Sequence, residues 1–388
     1  GVEMNKQYNF ERDVKFLTGR GALRNATIIM SNMGCRKVLL ICDEESNSSG
    51  KYKKVLRKFN REVNIVAEYK KVKEIAACED CENALRLFKE GDCDSIIAIG
   101  DKSAIFVAKA VKIMLKDNVS IMSNYLSCAV NSISSLFLPL IVIPTYLSSG
   151  VETSNYIRLS MQDGKIIELD TPFAHTNVVA LDPCLCGKSR AKEIASSGLC
   201  TLAMAITSLL RNDDANTMVK VYALNAITLL TDNFKESVIK KYSVKRRFKI
   251  ALAAILAGCA YWHSPHMVLT KLTNAICDVS GANFNDVFNL LFAKGVMVVD
   301  LTADFDMYTI VNLIGENEYV DLTGEKSSEQ IIKNSVKKYY SELGKYVKYP
   351  RTLEDLDVTD EMLGKVMEDM SAQYDGKSLE LIKKIIGK

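Results

Sequence analysis

Apolar and polar positions alternate in blocks along the first half of the chain, and the clearest block is 94–109, Asp-Ser-Ile-Ile-Ala-Ile-Gly-Asp-Lys-Ser-Ala-Ile-Phe-Val-Ala-Lys. The aliphatic run after an acidic start predicts a strand buried on both faces. Gly100 breaks the run, and apolar positions at helical spacing follow it. The backbone N–H groups left unpaired at such a helix N-terminus, aligned with its dipole, form a phosphate site without any particular side chain. An ordinary strand-to-helix turn is the alternative reading.

The same pattern recurs on either side. Further strands are predicted at 37–42, 63–67, 138–144 and 178–181, with helices at about 50–59 and 81–89. The alternating run 155–160, a turn at 162–165 and the return through 166–169 predict a hairpin. Residues 118–135 fit neither period. Strands that alternate with helices imply a parallel sheet with right-handed crossovers. Asp43, at the end of the first strong strand, is placed to accept hydrogen bonds from a ribose diol or to cap the next helix. The hydroxyl-rich stretch from Thr145 through Ser149 to Ser154 would line a crevice at the carboxyl edge of the sheet. After Pro183 helical periodicity takes over, with Ile194, Leu199, Leu202, Ile206 and Leu209 on one stripe and 248–261 apolar nearly all round. An α/β domain over 1–182 and an all-α domain over 183–388 are therefore expected.

Composition narrows the function classes. Fifty basic and 47 acidic residues leave a net charge of +3, so no long-range field steers nucleic acid or an anionic membrane. No run reaches the roughly 18 apolar residues of a spanning helix, and the first ten residues lack a signal-peptide core. A cytoplasmic protein is expected. The 11 cysteines are an odd number scattered through apolar segments, which suits free thiols in a reducing compartment. Cys78-Glu-Asp-Cys81 has metal or redox spacing, yet no second pair stands near to complete a tetrahedral site.

Taken in order, several segments carry a resemblance. Phe16-Leu-Thr-Gly-Arg-Gly21, Gly34-Cys-Arg-Lys-Val38 leading to Asp43, Cys93 to Gly100, Ile143-Pro-Thr145, Asp182-Pro183 and Ala257-Gly258 follow the motif order of the iron-containing, group III alcohol dehydrogenases. The sequence resembles that family over nearly its whole length. The resemblance implies a Rossmann-like N-terminal domain with a parallel sheet, followed by a helical domain, in the dehydroquinate synthase-like architecture. It also implies a nicotinamide cofactor and a metal between the two. Asp43, Gly100, Ser103, Thr145, Ser149 and Lys165 stand where the family contacts its dinucleotide.

The departures carry as much information. Where the family has Gly-Gly-Gly-Ser, this chain has Gly100-Asp-Lys-Ser103, and the family's next Asp is Phe106. Asp101 can cap the helix, but it also sets an anion beside the expected pyrophosphate. Two unit charges about 5 Å apart at an effective dielectric of about 20 repel by roughly 3 kcal/mol. Lys102 could offset that charge or fill the pocket. The resemblance places the metal ligands at Cys200 and Met204, Thr270, and Phe284 or Asn285, with a further family histidine falling on Asn274. None suits a hard divalent ion, and Cys with Met suits only soft ions such as Cu(I). A rebuilt site from His266, Cys200 and Asp278 would need a helix that Pro265 interrupts; the other histidines are His175 and His263.

The expected protein is thus alcohol dehydrogenase-like, nominally an NAD(P)-dependent oxidoreductase of a small alcohol or aldehyde. NAD or NADP is expected to bind weakly, iron and zinc not at all, and no catalytic residue is named. The alternative is a catalytically inactive relative, a pseudoenzyme acting as a binding or assembly partner, either as a homo-oligomer or as a partner subunit.

Overall fold

In the computed structural model, the described residues are 10, 13–116, 138–145, 150–187, 190–210, 216–239, 242–263, 268–298 and 328–387. They form two compact units. One is Glu11–Gly187; the other, Lys188–Lys388, also takes in Phe10.

In the first unit, β1 (Lys15–Thr18), α1 (Ala22–Asn32), β2 (Lys37–Asp43), α2 (Glu44–Ser48), α3 (Lys51–Leu56), β3 (Asn64–Val72), α4 (Cys78–Glu90), β4 (Ser95–Gly100), α5 (Lys102–Lys116) and β5 (Leu140–Pro144) follow in order. Then come β6 (Tyr156–Ser160), β7 (Ile166–Asp170) and β8 (Val178–Leu181). Six strands make one parallel sheet in the order β1-β8-β5-β4-β2-β3, and β6 and β7 form a separate antiparallel pair. Central register pairs such as Leu40 with Ile97 and Ile97 with Ile141 join residues that are fully buried or nearly so. Val38, Leu40, Cys42, Ile97, Ile99, Ile141 and Ile143 pack with Leu23, Ala26 and Met30 of α1 and Tyr52 and Val55 of α3. The intervening Leu39, Ile41, Ile96 and Ala98 are equally buried, as a sheet covered on both faces requires.

Several local readings change. The helix expected at about 50–59 is the shorter α3, entered through Gly50 at φ 76° and ending at Leu56, and a further short helix, α2, capped by Asp43, precedes it. The strand expected at 63–67 runs on to Val72. β1 has no counterpart in the sequence reading, because four residues at the sheet edge give too short a pattern. Residues 118–135 lie outside the described residues. Cys78 and Cys81 are both buried at the start of α4, where burial raises both thiols.

The second unit contains α6 (Ala191–Leu210), α7 (Thr217–Ile239), α8 (Val244–Tyr261), α9 (Val268–Ser280), α10 (Phe284–Val298), α11 (Ser328–Leu343), α12 (Asp360–Gln373) and α13 (Gly376–Ile386). The α6 helix is long and apolar enough to cross a membrane, which corrects the sequence reading; 83% of its most apolar window is buried within the fold, as in a core helix. Gly198 lets α7 approach it, since a Cβ there would sit 2.2 Å from the Phe234 ring. A second core gathers Leu272, Ile276, Leu291, Val366, Met370 and Ile382 from α9, α10, α12 and α13.

Candidate functional site

The carboxyl ends of β2, β4 and β5 are neighbours in the sheet, and their last residues form one hydrogen-bonded corner. Asp43 caps α2 by accepting the Ser46 N–H at 2.6 Å, while its other oxygen accepts the Asp101 N–H at 2.7 Å. The carboxylate therefore ties the β2–α2 turn to the β4–α5 turn. Of the two sequence readings of Asp43, capping is the one seen. Gly100 adopts φ 146°, and a Cβ there would lie 1.7 Å from Asp43 Oδ2, so no larger residue fits. Thr145 donates its N–H to Gly100 O at 3.2 Å and shares a 2.6 Å hydrogen bond with the Ser46 hydroxyl. Burial raises the Asp43 carboxyl, against the two N–H groups that favour its charged form. Ser46 was missed from sequence, although a hydroxyl three residues after an acidic strand end is a capping signal.

Ser103 is buried in the first turn of α5. Asp101 does not cap that helix, contrary to expectation. Its N–H is committed to Asp43, and its Oδ1 is buried with no hydrogen-bond partner among the described residues. Lys165 is exposed on the turn between β6 and β7, where its N–H donates to Asp163. Ser149 lies outside the described residues. The structure thus joins Asp43, Gly100 and Thr145, seats Ser103 one turn further on, and leaves Lys165 on a hairpin tip. The turn does not fit a tightly held pyrophosphate: an N–H that would face the anion is taken, and a carboxylate stands at the helix start.

Two buried lysines on α5 went unseen in the sequence. Lys109 donates to Val151 O at 2.8 Å and Ser154 O at 2.6 Å, and Lys112 to His175 O at 2.8 Å and Asn177 Oδ1 at 3.0 Å. Burial lowers Lys109 to about 7 and Lys112 to about 8, opposed at Lys109 by the Glu152 and Asp170 charges. They brace the chain that leads into β6 and β8.

In the helical unit, Cys200 and Met204 are buried one turn apart on α6. Thr270 of α9 shares a hydrogen bond with the Tyr261 hydroxyl. The Tyr261 ring meets Phe288 edge-on at 5.6 Å, and Phe288 stacks on Phe284 at 5.6 Å. Burial, with Cys200 nearby, pushes the Tyr340 hydroxyl up. Asn274 is buried on α9, and Asn285 Oδ1 is buried without a hydrogen-bond partner among the described residues. His263 is exposed and stacks on Phe10 at 5.1 Å; His266 lies outside the described residues. Among the described residues no three His, Cys, Asp or Glu side chains group closely enough to hold a metal ion. The positions that the resemblance matches to ligands thus carry thiol, thioether, hydroxyl, amide and aromatic groups, a set that does not suit iron.

Comparison with known proteins agrees with the motif order. The family described as "Iron-containing alcohol dehydrogenase" matches residues 14–183. The NAD-dependent methanol dehydrogenase of Bacillus methanolicus is 26% identical over 302 residues, 77% of this chain and 78% of that protein. A crystal structure of 1,3-propanediol oxidoreductase superposes with a TM-score of 0.84 at 19% identity, covering 98% of this chain and 99% of the other. The alcohol dehydrogenase from Oenococcus oeni gives 0.82 at 19% identity, covering 98% of this chain and 99% of the other. By motif order, by the family match over its α/β unit and by fold, this chain is an alcohol dehydrogenase-like protein that resembles the iron-containing, group III alcohol dehydrogenases.

Proposed function

We propose that this protein keeps the fold of an NAD(P)-dependent alcohol or aldehyde oxidoreductase but has lost its metal-dependent step, and works as a binding or assembly partner. The observation that carries this reading is the Thr270–Tyr261 hydroxyl pair, set beside the Phe284–Phe288 stack. At Thr270, and at Phe284 or Asn285, the resemblance calls for imidazole. A Lewis acid would polarise an alcohol oxygen and ease its deprotonation before hydride leaves, and no group in this cluster supplies that charge. Residual NAD or NADP binding is assigned to the corner of Asp43, Gly100, Ser103 and Thr145, with Ser149 and Lys165 as further contacts, at an affinity weaker than about 100 μM. That limit follows because roughly 3 kcal/mol lost to Asp101 is over a hundredfold against a micromolar site.

Elemental analysis together with turnover assays tests the reading. The purified protein is expected to carry no stoichiometric iron or zinc, and to reduce neither NAD nor NADP with C1 to C6 alcohols when iron, zinc or manganese is added. About one bound metal per chain with metal-dependent turnover would show instead that the oxidoreductase is active. Metal bound without turnover would leave the assembly role and remove the argument from the ligand set.

A further inference from the structure

The near-zero net charge conceals two patches of opposite sign. The segment 51–61 carries six cations and no acid in 11 residues, and the segment 354–369 carries seven carboxylates and one cation in 16. In the α/β unit, α3 buries Tyr52 and Val55 against the sheet, which turns Lys54, Arg57 and Lys58 outward, with Arg61 exposed just beyond. The Asn60 N–H donates to Thr27 Oγ1 of α1, so this segment lies along α1, whose outer side carries Arg24, with Arg20 just before it. These six side chains are exposed, and none makes an ion pair or side-chain hydrogen bond among the described residues.

In the helical unit, Val358, Leu363 and Val366 of the acidic segment, with Leu353 just before it, face the second core. Glu354, Asp357, Glu368 and Asp369 are exposed, and Lys365, the single cation, is already paired with Glu361 at 3.2 Å. Two exposed patches of opposite sign on one chain are complementary between copies.

We infer that the occupant of the basic α1–α3 face is a second copy of this chain, docked through its acidic 354–369 segment. Uncompensated cations on one face favour a partner rich in carboxylates, and the chain itself supplies one. Extended nucleic acid is disfavoured, because acids elsewhere on the surface hold the net charge at +3. The contact is electrostatic and spans exposed groups, so its strength falls as the Debye length shrinks from about 10 Å at 0.1 M salt. The inference is independent of whether the protein turns over substrate.

Sedimentation velocity on the full chain tests it, against a monomer of 43.1 kDa. At about 50 mM NaCl and about 100 μM protein the chain is expected to self-associate, and at about 500 mM NaCl the association weakens at least tenfold. Arg24→Glu with Arg57→Glu and Lys58→Glu should weaken it at least tenfold at low salt. Glu354→Lys with Glu368→Lys and Asp369→Lys should do the same, and mixing the two variants should restore it. All six positions are exposed, so circular dichroism and thermal unfolding should match the unaltered protein. A monomer at low salt, or an oligomer indifferent to salt and to both charge reversals, overturns the inference. So does failure of the mixed variants to associate, which would point to a different acidic partner for the basic face.

Discussion

At Gly100 a single missing Cβ decides the geometry of a whole corner. The residue sits at φ 146°, and the Asp43 carboxylate fills the space a side chain would need. Gly100→Ala is expected to destabilise the protein by roughly 3 kcal/mol, combining backbone strain with a forced shift of Asp43. Thermal or urea unfolding measures it, and a loss under about 1 kcal/mol would mean the corner relaxes freely. The neighbouring Asp101 is expected to limit dinucleotide affinity. Asp101→Gly with Lys102→Gly should tighten NAD binding by up to about a hundredfold, from the roughly 3 kcal/mol of repulsion removed. Calorimetry on both proteins decides this: micromolar NAD binding before any change, or no gain after it, refutes the role given to Asp101.

On the scale of elements, α5 is the beam of the α/β unit, and its buried lysines make its stability depend on pH. Below about pH 7 Lys109 is charged in both folded and unfolded chains, and the full burial cost is present. Above that the folded protein releases the proton while the unfolded lysine, titrating near 10.5, keeps it. Stability from this group therefore rises with pH from about 7 towards 10. Replacing Lys109 with Met removes the donor from the Val151 and Ser154 carbonyls. Lys109→Met should cost about 3 kcal/mol at pH 8, since buried acceptors lose their partner. Between pH 7 and 8.5 the unaltered protein should gain about 1 to 2 kcal/mol relative to the variant. Denaturant unfolding at both pH values provides the comparison; parallel pH dependences would show that Lys109 does not titrate there. The comparison stops at pH 8.5 because thiols such as the buried Cys42 and the half-buried Cys93, raised by burial, begin to oppose the trend above it.

For the molecule as a whole, the question is whether the helical unit still has room for a metal. Cys200→Asp, Met204→His, Thr270→His and Asn285→His together would supply hard ligands at four of the matched positions, the first two one turn apart on α6. The Tyr261, Phe284 and Phe288 packing leads to the expectation that this quadruple variant unfolds or precipitates, because each polar group buried without a partner costs a few kcal/mol. A folded variant that binds one zinc or iron per chain would show that the ligand positions enclose usable space.

What is local could be read from the chain alone. Strands such as β4 and β5 were legible because burial on both faces leaves an unbroken aliphatic run. The β6–β7 hairpin was legible from its alternation and turn residues, and the change to helices after Pro183 from its period. Motif order sufficed to mark the alcohol dehydrogenase-like fold. Which residues meet was settled by tertiary packing. Asp43 and Asp101 are 58 positions apart, and Lys109 finds its acceptors 42 and 45 positions later. A lysine on a helix looks solvated until the fold shows it buried, because its fate depends on carbonyls supplied by another segment. The charge runs at 51–61 and 354–369 were written in the sequence, yet only the fold showed that their apolar neighbours turn inward and leave the charges on the surface. Hydrophobic periodicity is a property of neighbours along the chain, whereas hydrogen bonds and burial belong to neighbours in space.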